Sequence, residues 1–85
     1  MTRYVIDPTN AAASPDYFAI TPSDTVNFDR TVRGIYVGSG GDVVAVTEGG
    51  DAVTFVGAVT GSILPIMAVR VNSTSTTATS LVGLY

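Results

Sequence analysis

Apolar and polar positions along this 85-residue chain fall into short runs separated by glycine- and hydroxyl-rich breaks. Tyr17-Phe18-Ala19-Ile20-Thr21 is the first run with strand character. Pro22-Ser23-Asp24-Thr25 follows as turn chemistry, because proline presets φ and Ser and Asp side chains bond back to nearby backbone. Thr31 to Val37 reads as a stronger strand, Gly38-Ser39-Gly40-Gly41 as a hairpin turn, and Asp42 to Thr47 as the next strand. Glu48-Gly49-Gly50-Asp51 is another turn, Ala52 to Val56 another strand, and Gly57 to Gly61 another break. The runs Ile63 to Val71 and Ser80 to Tyr85 complete the series, with Pro65 demoting the start of its run to an edge or a bulge. Turns recur about every ten residues, the spacing of an all-β sandwich or barrel. No stretch sustains helical periodicity long enough for an amphipathic helix. The pattern predicts an all-β chain, a small antiparallel β-sandwich or barrel of about six to eight short strands.

The two ends of the chain read differently. Residues 1–14 carry Pro8 and the small run Ala11-Ala12-Ala13-Ser14, and are expected to form an extended N-terminal arm. Residues 15–85 are expected to form a single β domain. Near the other end, Ser73-Thr74-Ser75-Thr76-Thr77-Ala78-Thr79-Ser80 separates two strand-like runs. An ordered, hairpin-like connection is expected there, because Thr favours extended backbone. Successive side chains in a strand point to opposite faces. Leu81 and Tyr85 should therefore share one face of the last strand, and Val82 and Leu84 the other. Both faces are apolar, so one is expected on the core and the other against a neighbouring strand layer or subunit. Gly83 is expected to let another backbone or an aromatic ring approach closely. Tyr36, Leu81, Leu84 and Tyr85 are the candidate oligomer or partner interface.

Composition narrows the classes of function. Val (13) and Thr (12), both β-branched and stiff at χ1, supply much of the chain. Cysteine is absent, so no disulfide or thiolate metal site supplements a modest core. The only cations are Arg3, Arg30, Arg33 and Arg70, and the net charge is −3. That balance argues against nucleic acid and against an anionic membrane surface. Met1 to Pro8 holds no apolar stretch long enough for a signal peptide, and no run approaches a membrane span. Synthesis in the cytoplasm and no membrane insertion are the expectation.

Catalytic equipment is not visible. There is no histidine to serve as a general base. Ser23 and Thr25 lie near Asp24 and Asp29, yet neither histidine nor lysine is present to activate a hydroxyl. The glycine loop at 38–41 is followed by a strand, whereas phosphate-cradling loops lead into a helix N-terminus. Asp42, Glu48 and Asp51 lack the spacing of a calcium loop. Asn72-Ser73-Thr74 matches a glycosylation acceptor, a short pattern better read as part of a loop. No enzyme activity, cofactor or metal is expected. Tyr17, Tyr36 and Tyr85 would suit a carbohydrate platform if they shared an exposed face. Otherwise they pack inside or at subunit contacts.

A set of short motifs resembles the spike base proteins of phages, prophages and phage-derived gene transfer agents. Thr21-Pro22-Ser23-Asp24-Thr25, Arg33-Gly34-Ile35-Tyr36-Val37-Gly38, Gly41-Asp42-Val43 and Val53-Thr54-Phe55 open the series. Gly61-Ser62-Ile63-Leu64-Pro65-Ile66, Arg70-Val71, Thr76-Thr77-Ala78-Thr79 and Leu84-Tyr85 continue it in the same order. The resemblance spans about residues 15–85 and carries over no catalytic residue. It implies a non-enzymatic, β-rich virion structural protein that attaches a host-contacting spike or fibre to the capsid or tail. Its implied partners are further copies of itself (trimer to pentamer), capsid or tail proteins, and a spike or fibre protein. The alternatives are a carbohydrate-binding module that contacts host surface glycan, or a capsid-decorating protein without a fibre partner.

Overall fold

The computed structural model describes residues 16–85. The arm expected at residues 1–14 lies outside the described residues. Seven short strands follow in order: β1 (Tyr17–Ala19), β2 (Gly34–Ser39), β3 (Gly41–Val46), β4 (Ala52–Ala58), β5 (Ile63–Leu64), β6 (Arg70–Val71) and β7 (Thr79–Leu84). They form a four-stranded sheet in the order β1-β7-β2-β5 and a three-stranded sheet in the order β4-β3-β6. All pairings are antiparallel. The fold is the expected small antiparallel sandwich.

Period-two alternation builds the core. In β2, Ile35 and Val37 are fully buried while Tyr36 between them faces out. Val43, Val71 and the pre-strand residues Val32 and Ala68 are likewise sealed, and Leu81 and Ala78 close the layer. Phe18, Phe28 and Phe55 pack on its margins. Most of these core side chains are β-branched or small, which suits two closely spaced sheets and limits entropy loss on ordering.

Three connections differ from the sequence pattern. Gly38-Ser39-Gly40-Gly41 does not close a hairpin. β2 pairs with β7 and β5, whereas β3 pairs with β4 and β6, so the chain steps from one sheet to the other at Gly40. Crowding at that corner explains the glycines. A Cβ on Gly40 would sit 2.7 Å from the Ala58 carbonyl oxygen, and one on Gly41 would sit 2.7 Å from the Ala78 nitrogen.

The run from Ile63 to Val71 is not one strand. It splits into β5 and β6, which belong to different sheets. Pro65 begins the crossing, consistent with its inability to donate to a ladder. Val32 and Ala68 exchange backbone hydrogen bonds of 3.0 and 3.1 Å where the crossing passes the start of β2. Turn chemistry succeeds between β3 and β4: the Asp51 N–H donates to Thr47 Oγ1 at 3.1 Å and the Gly50 N–H to the Thr47 carbonyl at 2.9 Å.

The hydroxyl tract is ordered but is not hairpin-like, because it carries the chain from β6 in one sheet to β7 in the other. Its hydroxyls replace a strand partner. Thr76 Oγ1 accepts the Val44 N–H at 3.0 Å, and Thr77 Oγ1 accepts the Asp42 N–H at 2.8 Å. Thr74 donates its N–H at 2.9 Å and its hydroxyl at 2.6 Å to the two carboxylate oxygens of Asp24. Those bonds to Thr74 hold the Asp24 carboxyl below the ordinary carboxylate range, since they favour its charged form. Ser23 does bond back locally, accepting from Thr25 and Val26 at 3.2 and 3.0 Å. Asp24 instead ties its turn to a segment fifty residues away.

Candidate functional site

The register of the four-stranded sheet assembles the candidate site. Tyr36 on β2 stands opposite Val82 on β7 and Ile63 on β5. Val82 stands opposite Ala19 on β1, and Leu84 stands opposite both Tyr17 and Gly34. Directly opposed residues share a face of the sheet. Tyr17, Ala19, Tyr36, Ile63, Val82 and Leu84 therefore lie together on the face turned away from the core.

This face is apolar and open. Tyr17 is 70% exposed, Ile63 55% and Tyr36 38%. Val82 and Leu84 are half-buried by their neighbours. Leu84 and Ile63 reach across Gly34, where a Cβ would meet Ile63 Cγ2 and Leu84 Cδ1 at 3.5 Å each. The two side chains thus bridge β7 and β5 over the glycine of β2. None of the six positions carries a charge, and their only side-chain polar atoms are two tyrosine hydroxyls. Such a surface has no histidine, carboxylate, amine or thiol. What it offers is apolar area and two amphipathic rings, the chemistry of a protein-binding patch.

The four interface candidates divide. Tyr36 and Leu84 sit on this outer face. Leu81 is 3% exposed and points into the sandwich between the sheets. Tyr85 is half-buried near the end of β7, its ring centroid 5.7 Å from that of Phe18 and 4.9 Å from the Arg30 guanidinium carbon. The split between Leu81 and Leu84 follows the expected alternation of the last strand. Sequence reasoning missed Tyr17 and Ile63 as members of the patch. Their signal exists only after pairing, since β1 and β5 lie far apart in the chain and meet this face through β7 and β2.

Only two of the three tyrosines considered for a carbohydrate platform share the face. β7 separates them, and no amide, carboxylate or guanidinium lies among the patch residues to bind sugar hydroxyls. Among the described residues, no three His, Cys, Asp or Glu side chains gather to hold a metal ion.

One solved structure described as "Capsid of native GTA particle computed with C5 symmetry" contains a chain similar to this one. GTA denotes a gene transfer agent. The two chains are 37% identical, the match covers 88% of this chain and 87% of that one, and the TM-score is 0.80. This chain belongs to that family of phage-like virion proteins. No family model matches the sequence, and no curated protein matches it. As a virion structural protein it has a reason to expose an uncharged patch: subunits of a particle bury such surface against one another.

Proposed function

We propose that this virion protein is a non-enzymatic spike base, which attaches a host-contacting spike or fibre to the capsid or tail of a phage-like particle. The observation that carries the reading is the uncharged outer face of the β1-β7-β2-β5 sheet, in a chain 37% identical to one from a gene-transfer-agent capsid. An apolar face of this kind favours lasting contacts over transient ones, because burying it is the main driving force for association. The ordered sequence motifs quoted above resemble those of spike bases and support the finer role. The base acts as a homo-oligomer, trimer to pentamer, since head-to-tail contacts close into rings when the rotation fits.

The capsid-decorating alternative uses the same fold and face but recruits no second protein. A glycan-binding role has less support, because the tyrosines on the face lack polar partners around them. The test is reconstitution on particles that lack this protein. A spike base binds the bare particles and then retains a spike or fibre protein from the same genome. Binding without any fibre recruitment selects the decorating role, and failure to bind particles overturns both.

A further inference from the structure

β4 is the exposed edge of the three-stranded sheet. Among the described residues its far side has no strand partner. Natural edge strands are usually blunted by lysine, proline, short length or inward charge, since a bare edge templates pairing with another chain. Ala52–Ala58 has seven residues, no charge and no proline. Val53 is 51% exposed, Val56 80%, and Val59 just beyond the strand 68%. Beside this edge runs an apolar groove of about 280 Å³, walled by Val46, Val53, Phe55, Ile66 and Met67. Gly57, at φ +70°, gives its N–H to the Asp42 carboxylate and so ends the regular part of the edge.

The topology says which segment is placed to reach it. β5 follows β4 after a short link held against β2 by the bonds Gly61 N–H to Val37 carbonyl and Val37 N–H to Ser62 carbonyl. β6, at the other edge of the same sheet, receives bonds from the loop that follows β1: Ser23 to Val71 at 2.9 Å and Phe28 to Val69 at 2.7 Å. The edges of β4 and β5 therefore share one side of the sandwich, and those of β1 and β6 share the opposite side. Asp16, where the described chain starts, immediately precedes β1, on the side away from β4. From Ile6 to Asp16 an extended chain spans about 33–36 Å. That length is enough to reach from the β1 side of one copy to the β4 side of a neighbour docked there.

We infer that Arg3-Tyr4-Val5-Ile6-Asp7 of one copy adds as a strand to the β4 edge of the next copy. The inference rests on the homo-oligomer proposed above and identifies the contact that links successive copies. Main-chain bonds to the free edge provide the pairing, as in other strand-addition complexes. Alternation places Tyr4 and Ile6 on one face of the added strand, where they enter the groove between Phe55 and Met67. Pro8 terminates the pairing, because it has no N–H to give. Arg3 meets an acidic flank, as the turn that leads into β4 carries Glu48 and Asp51. The contact joins two different surfaces, so it repeats around a ring instead of closing a two-fold pair.

The absence of cysteine makes the test clean. The double variant I6C/V53C, whose two positions face the same groove, is oxidised in dilute solution and run on a denaturing gel, and native mass spectrometry of the unmodified chain gives its assembly size. A ladder of covalent multimers, absent from an I6C/V26C control, is the expected result. An internally bridged monomer overturns the inference by showing that the arm covers its own edge. No bridge in a chain that still assembles overturns the inference and leaves the oligomer standing. No bridge in a chain that stays monomeric overturns both. A second measurement uses a synthetic peptide of residues 1–10 and protein lacking residues 1–15. Saturable binding, lost at least tenfold in V53D, is expected, and binding unchanged by V53D overturns the assignment of the edge.

Discussion

Gly83 and Phe18 stand opposite each other in the β1–β7 register, and the Phe18 ring occupies the space a side chain on Gly83 would need. A Cβ there would lie 2.9 Å from Phe18 Cε1 and Cζ and 2.8 Å from Val32 Cγ1. Phe18 in turn meets Phe28 edge-on, with centroids 5.2 Å apart. The glycine lets an aromatic pair settle over the end of the core. Replacing Gly83 with Ala forces the ring and Val32 outward. The expected cost is about 1–3 kcal/mol, typical of overpacking, read from chemical denaturation. An unchanged midpoint would show that the ring moves aside freely.

Leu81 and Leu84 lie three residues apart on the same strand but should respond differently to truncation. Leu81→Ala opens a cavity in the core and should cost about 2–4 kcal/mol. Leu84 is half-buried on the outer face, so Leu84→Ala should cost the protomer only about 1 kcal/mol of lost apolar contact. Equal losses from the two variants in a monomeric preparation would contradict the assignment of their faces.

A charge placed on the outer face, at its β5 edge, should affect assembly more than folding. Ile63 is more than half exposed. Ile63→Asp should leave the denaturation midpoint of the protomer within roughly 0.5–1 kcal/mol of the parent, as surface changes do. It should weaken binding to particles or partner at least tenfold, because a carboxylate would be buried without a partner. Full binding by the variant would remove this face from the interface.

The tie between Asp24 and Thr74 predicts a pH dependence local to the hydroxyl tract. The folded state holds the Asp24 carboxyl below its ordinary range. Its contribution is therefore present above that range and is lost as pH falls through the lowered folded value. Hydrogen-exchange protection of the Thr74 amide should persist through the ordinary carboxylate range and drop only as pH falls below it. Asp24→Asn should show low protection throughout and a flatter profile. A steep profile that survives the substitution would assign the titration to another acid.

The strands and the fold class were legible in the sequence because their signals are local. Alternation at Ile35-Tyr36-Val37, the glycine-acid turn at residues 48–51, and the β-branched composition each act over a few residues. They predicted where the chain is extended, and the faces of Leu81 and Leu84 followed from period two alone. Pairing between strands, by contrast, depends on partners far away in the chain. Nothing local distinguishes the glycines at 38–41 as a corner between sheets from a hairpin turn, because both uses need a residue without a Cβ. Nor could the hydroxyl tract at 73–78 be told from a hairpin until Thr76 and Thr77 were seen bonding to the backbone of β3. The outer patch shows the same division: each of its residues reads as an ordinary strand position. Only the register, decided by which long-range pairing buries Ile35, Val37 and Leu81 together, brings Tyr17, Tyr36, Ile63 and Leu84 onto one face.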